Sequence, residues 1–181
     1  MNNMIAIVSD NEKELFGTRL YRYFREHNIE SVLVPASNRN IKPCYSCQGC
    51  VDKTFGKCIV RDDMDEILPI LARADKLVYT TPVVWGQTSY DIKKVMDKTA
   101  LLGNRFYKMR GREIVKGHSG RECKLVEIGI HENISEKAKS TFLYLINEIG
   151  NIMDTDYLAK IIKPEFTEAE LEAIAKEVLA L

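Results

Sequence analysis

The chain has 181 residues, 45% of them hydrophobic, and 26 basic side chains balance 26 acidic ones. That size and composition suit a single domain with one packed core. The balance leaves no basic stripe for nucleic acid and no charged tail, and the apolar runs are too short to span a membrane. Residues 1–6 run straight into a strand pattern without the features of a signal peptide, so a cytoplasmic location is expected.

Met4-Ile5-Ala6-Ile7-Val8 is a continuous apolar run, the pattern of a strand buried on both faces. Phe16, Leu20 and Phe24, four residues apart, predict the inner face of a helix. Ser31-Val32-Leu33-Val34-Pro35 predicts a second strand. The cysteine-rich segment 41–60 has no periodicity, and its Pro43, Gly49 and Gly56 predict a loop. Asp63 and Glu66 have the spacing of a capping box, ahead of a helix with Met64, Ile67, Leu68 and Leu71 on one face. Pro69 should kink or shorten that helix. Residues 77–81 predict a third strand closed by Pro82, and Ser89 caps a helix facing inward with Ile92, Val95, Met96 and Thr99.

Residues 103–120 are basic and glycine-containing, which predicts a long loop with at most a short element. Residues 124–130 predict the fourth strand. Asn133 and Glu136 predict the start of a helix facing inward with Phe142, Leu145 and Ile149. Residues 157–162 predict the fifth strand. Thr167 and Glu170 predict a capped last helix through Leu171, Ile174, Val178 and Leu179.

Strands alternating with helices place the chain in the α/β class, with a parallel sheet covered on both faces. Five strands within one domain, residues 1–181, suit a flavodoxin-like three-layer sandwich of strand order 2-1-3-4-5. Such sheets bind ligands beyond the carboxyl ends of the strands. The loops at 9–18, 81–89 and 129–133 are therefore the expected crevice.

Cys44, Cys47, Cys50 and Cys58 are spaced C-x2-C-x2-C-x7-C. Short spacing lets several thiolates converge on one volume, and iron–sulfur clusters are held by cysteine runs of this type. Zinc sites more often use two separated pairs, and a reducing compartment disfavours disulfides. Iron–sulfur, zinc and free or redox thiols all remain open from spacing alone. Cys123 opens a strand-like run and reads as a core residue.

The cysteine run, Asp62-Asp63-Met64, the segment Thr81-Pro82-Val83-Val84-Trp85-Gly86 and the helix Ile92-Lys93-Lys94-Val95-Met96-Asp97-Lys98 together resemble the NAD(P)H-dependent FMN reductase superfamily. Within it, the likeness is to the iron–sulfur flavoproteins. The resemblance covers residues 41 to 98, with the rest matched by element order. It implies an NAD(P)H-dependent flavin oxidoreductase holding FMN in the crevice, with a [4Fe-4S] cluster on Cys44, Cys47, Cys50 and Cys58. It also implies a redox partner or small-molecule acceptor, NAD(P)H or a ferredoxin-like donor, and a homodimer or homotetramer.

By the same resemblance, Ser9, Asn11, Gly17 and Thr18 hold the phosphate, and Pro82, Val83, Val84, Trp85 and Gly86 touch the ring. Gly129 and His131 lie where the third loop approaches it. The first loop departs from the family pattern: Val8 replaces a glycine, an arginine is missing, and Asp10, Glu12 and Glu14 bring carboxylates toward a phosphate. That departure leaves an alternative of a different class, a flavodoxin-like binding or scaffold protein with a degenerate FMN site and a structural metal or free thiols.

Among single residues, Trp85 is either a ring contact or an interface aromatic. His131 is either a donor to the flavin or a surface histidine. Arg105, Lys108, Arg110, Arg112 and Lys116 either meet a dinucleotide phosphate or form a solvated loop. Asp62 and Asp63 read as helix-capping groups.

Overall fold

The apolar run at the start of the chain becomes a central strand, buried along its whole length. In the computed structural model, which describes residues 4–10 and 15–181, it leads a regular βα alternation. The elements are β1 (Ile5–Ser9), α1 (Phe16–Glu26), β2 (Ser31–Pro35), α2 (Gly49–Asp52), α3 (Met64–Leu71), β3 (Lys76–Val84), β4 (Gln87–Thr88), α4 (Tyr90–Lys98), β5 (Lys108–Arg110), β6 (Glu113–Val115), β7 (Lys124–Ile130), α5 (Glu136–Met153), β8 (Tyr157–Ile162) and α6 (Glu168–Ala180). A 3-10 turn at Thr99–Leu102 follows α4. Asn11, Glu12, Lys13 and Glu14 lie outside the described residues.

The main sheet runs β2-β1-β3-β7-β8, all parallel, which is the expected 2-1-3-4-5 order. Strand alternation sends Ile5, Ile7, Val78, Val126 and Ile128 toward α1 and α6. Ala6, Val8, Leu77, Tyr79 and Leu125 face α3, α4 and α5. Lys76 secures the start of β3 by donating to the carbonyls of Val178 (2.8 Å) and Leu179 (2.6 Å), the last turn of α6, where a cation is favoured. Among the described residues, no helix is long and apolar enough to cross a membrane.

Several local expectations are corrected. Pro82 does not close β3: the strand continues to Val84, with Pro82 opposite Ile130 on β7. The reason lies in the neighbouring strand. β1 pairs with β3 only as far as Ser9 opposite Thr80, and the Asp10 N–H makes the last bond to the Thr80 carbonyl at 3.2 Å. Residue 82 points its backbone to the same side as residue 80, where β1 has ended, so the missing N–H costs no ladder bond. Beyond Val84 the chain reverses through Trp85 and Gly86, both at positive φ (58° and 79°), and β4 pairs antiparallel with β3. Segment 103–120 contains the β5–β6 hairpin, and the cysteine segment contains α2.

The α5 cap is Ser135 rather than Asn133, and the buried face is Phe142 and Ile146 with Gly150, so Leu145 is turned partly out. Thr167 and Glu170 do form a full capping box, but Leu179 is exposed. Asp63 and Glu66 form no box. Their neighbourhood does something else.

Asp62 and Asp63 tie the two ends of the cysteine segment together. The Asn40 N–H donates to Asp63 Oδ2 (2.9 Å), the Lys42 N–H to Asp62 Oδ2 (2.8 Å) and the Met64 N–H to Asp62 Oδ1 (3.0 Å). Lys98 at the end of α4 completes the knot with an ion pair to Asp62, the two side chains only 2% and 1% exposed. Burial works against the Asp62 carboxylate, but the bonds from Lys98, Lys42 and Met64 outweigh it and hold the carboxyl below its ordinary range. Its contribution is therefore present above that range and lost as pH falls through the lowered pKa.

Asp62→Ala should cost about 3–5 kcal/mol in urea unfolding, because it strands a buried ammonium, whereas the paired change Asp62→Leu with Lys98→Met should cost far less. Equal losses in both would contradict the buried-pair assignment.

Candidate functional site

The crevice begins at the N-terminus of α1. The residue before the helix is Leu15, so no side chain caps it, and no acidic residue occupies its first turn. The Thr18 and Arg19 N–H groups bond to the Leu15 carbonyl, while among the described residues the Phe16 and Gly17 N–H groups and the positive end of the helix are left available to an anion. Gly17 packs against the ends of β1 and β3 so closely that a Cβ there would collide with Thr80 Oγ1 and with Ser9 Oγ (2.7 Å). Only glycine permits that approach. Ser9, Gly17 and Thr18 are thus brought together as expected, and Thr80 joins them. Among the described residues, the buried hydroxyls of Thr18 and Thr80 have no hydrogen-bond partner. Buried hydroxyls rarely stay unpaired, so this cluster has the chemistry of a site that expects a ligand oxygen.

Asp10 adjoins this cluster on the other side. Burial pushes its carboxyl up, Asp91 adds to that, and a hydrogen bond with Ser89 together with Lys94 pulls against it. Its partners therefore belong to the start of α4.

The second loop is the tight β3–β4 hairpin. Thr80, Pro82 and Val84 share one face of β3, and Thr81 and Val83 share the other. Val83 is buried against Gly129, where a Cβ would come within 2.5 Å of its methyl group. Gly129 thus serves close packing of β7 under the hairpin and against Phe142. Val84 is exposed, and Trp85 at the tip is 93% exposed. Gly86 seats the turn on α5, with its would-be Cβ 2.8 Å from the Ala138 carbonyl oxygen. His131 follows the end of β7, and its Nδ1 accepts from the Asn133 N–H at 3.1 Å, which leaves Nε2 as the nitrogen able to donate.

The four cysteines line a separate cleft of about 770 Å³. Cys44 and Cys47 are exposed, Cys50 and Cys58 half-buried. Burial raises the Cys50 thiol, with smaller contributions from Cys58, Cys44 and Cys47. Ser46 and Gln48, on either side of Cys47, both adopt left-handed backbone, a strain common at functional loops. Among the described residues, no three cysteine, histidine or acidic side chains stand in a metal-holding arrangement.

The opposite wall of the cleft is α4, the 3-10 turn and segment 103–119, with Lys93, Asp97, Arg105 and Lys116. Arg105 lies 4.0 Å over the Phe55 ring, which joins that segment to the cysteine loop. The basic segment therefore divides. Lys108 and Arg110 pair with Asp154, Arg110 also with Glu113, while Arg105 and Lys116 face the thiols. None of the crevice residues lines the cysteine cleft.

Two further features carry signals in the sequence. Trp85-Gly86 is a two-residue turn between short β-compatible pairs, and it marks the hairpin. Glu127 is an acidic residue in the middle of an apolar strand, and such a carboxyl is rarely buried without a role. Thr80 had no signal beyond its place at a strand end.

No protein-family model matches the chain. Its sequence is similar to an iron-sulfur flavoprotein of Methanosarcina thermophila, 31% identical over 88 residues, covering 49% of this chain and 45% of the relative. It is also similar to an iron-sulfur flavoprotein of Methanocaldococcus jannaschii, 35% identical over 74 residues, covering 41% of this chain and 37% of the relative. The matches span less than half the length of these relatives.

Among solved structures, the NAD(P)H:quinone oxidoreductase of Methanothermobacter marburgensis superposes with a TM-score of 0.64 at 13% identity, over 98% of this chain and 96% of the other. An FMN-dependent NADH-azoreductase of Bacillus anthracis, solved with FMN, gives 0.60 at 15% identity, over 97% and 95%. The fold is flavodoxin-like, and the sequence likeness is to iron–sulfur flavoproteins.

A bulky side chain at positive φ costs about 1 kcal/mol or more, which asparagine tolerates better, and an exposed Trp85 regains little of it by burial. In urea unfolding, Trp85→Asn should leave stability unchanged or raise it by about 1 kcal/mol. A clear loss would mean that the indole is a structural group.

Proposed function

We propose that the chain is an FMN-dependent oxidoreductase that draws electrons from NAD(P)H or a ferredoxin-like donor and delivers them to a redox partner or small-molecule acceptor. The observation that carries this reading is the pair of buried, unpartnered hydroxyls of Thr18 and Thr80 beside Gly17 at the uncapped start of α1. A phosphate dianion suits that set: two hydroxyl donors, free N–H groups and the helix dipole act on it together. The FMN-dependent reductases that share the fold, and the flavoproteins that share part of the sequence, support the same choice.

Bound FMN would supply the redox chemistry, accepting a hydride and releasing electrons singly or in pairs. The chain's own residues bind and orient. Ser9, Gly17, Thr18 and Thr80 hold the phosphate end. Pro82 and Val84, on the face of β3 that also carries Thr80, border the ring, and Trp85 stands at the rim where it can cover the ring or a partner. His131 Nε2–H is the donor available from the third loop. The exposed Trp85, Phe106, Tyr107, Met109 and Ile114 support assembly as a homodimer or homotetramer.

Cys44, Cys47, Cys50 and Cys58 are proposed as ligands for a [4Fe-4S] cluster on the strength of their spacing and shared cleft. As placed, they do not form a coordination set. That observation favours the free-thiol form of the second reading, a flavodoxin-like binding or scaffold protein. Anaerobic purification with flavin, iron, sulfide and zinc analysis separates the two. Flavin absorbance with iron and sulfide supports the first, whereas zinc with no flavin uptake supports the second.

Thr18→Val and Thr80→Val should each weaken FMN binding about 10- to 100-fold, the scale of a hydrogen bond to a charged group, in a flavin-fluorescence titration. Unchanged affinity in both would remove the phosphate assignment.

A further inference from the structure

Glu127 has no part in the proposed flavin chemistry, yet it sits in the middle of β7 with no exposed surface. Thr88 Oγ1 donates to its Oε1 at 2.5 Å, and its Oε2 has no partner. Thr88 opposes Val83 in the β3–β4 hairpin and Gln87 opposes Val84, with Trp85 and Gly86 at the turn. The hairpin is therefore the element whose lifting would release the Thr88 bond. We propose that Glu127, through its bond to Thr88, is a positioning residue that holds this hairpin, and with it Val84 and Trp85, closed at the rim of the candidate crevice. The inference rests on the proposed flavin site only for what the hairpin serves.

The groups acting on Glu127 are few. From β4 comes the Thr88 hydroxyl, from α4 the Lys93 ammonium, itself committed to Asp97, and from β3 the Tyr79 phenol, which burial keeps protonated. β8 opposes it with Ala159. An ionised carboxylate here would hold one hydrogen bond where in water it holds several. Burial accordingly pushes the carboxyl up from its ordinary 4.5 to about 7, with Thr88 and Lys93 pulling the other way.

When the hairpin lifts, water reaches the carboxyl and its pKa falls back toward the ordinary value. The closed form thus binds the proton more tightly. Its advantage is complete below about pH 4.5 and is lost as pH rises through about 7. The full swing in the closed-to-open ratio is about 300-fold, the difference between those two values.

Trp85 is the chain's only tryptophan, so its fluorescence anisotropy reports the hairpin directly. The protein is measured without added FMN, so the outcome does not depend on the flavin reading. Wild-type anisotropy should fall as pH rises through the interval between about 4.5 and about 7 and level off above it, while Glu127→Gln, which cannot ionise, keeps the low-pH value throughout.

Infrared spectroscopy of the wild type gives a second readout. A buried carboxylic-acid carbonyl band should disappear over the same pH interval, and this holds whether or not Glu127→Gln folds. Anisotropy that ignores pH, the same transition in Glu127→Gln, or a carboxyl band that titrates apart from the anisotropy would each overturn the proposal.

Discussion

The buried ion pair between Asp62 and Lys98 is the constraint on which the rest of the layout depends. A chain leaving β2 at Pro35 does not reach α3 until Met64, with only the four-residue α2 between, and such a segment would ordinarily be loose. Asp62 and Asp63 close its neck by accepting backbone N–H groups from both ends, and Lys98 locks the neck to α4. The four cysteines are held on a fixed wall as a result. The same helix touches the other region of interest at its opposite end, where Ser89 and Lys94 engage Asp10. α4 is therefore the one rigid body common to the cysteine cleft and the crevice.

The fold was legible because burial imposes it. Strands covered on both faces must be apolar along their length, and Ile5 to Val8 and Leu125 to Ile130 carry that pattern with Glu127 as the lone exception. Helix phases followed wherever the apolar stripe was narrow, as in α1. Where capping residues were dense, the boundary slipped. Asn133 and Ser135 are both good caps, and packing of Phe142 and Ile146 chose between them. Pro82 misled because the rule against proline in central strands is a rule about neighbours, and the end of β1 cannot be seen in the sequence around residue 82.

The candidate site was legible in its residue types more than in its geometry. Ser9, Gly17 and Thr18 meet as expected, but Thr80 completes the cradle from a strand distant in sequence. Of the acidic first loop, Asp10 finds its partners at the start of α4, and Glu12 and Glu14 lie outside the described residues. The Asp62 knot holds the cysteines in a cleft against α4 and segment 103–119. A tertiary ion pair between residues 36 positions apart decides that placement, and no local pattern encodes it.

The start of α1 is proposed as a phosphate cradle. It makes the phosphate, rather than the flavin ring, the main source of affinity. The most direct measurement compares binding of FMN and riboflavin to the same protein by fluorescence titration. Two hydroxyl donors and a helix N-terminus acting on a dianion should favour FMN by at least about 100-fold. Equal affinity for the two would contradict the account.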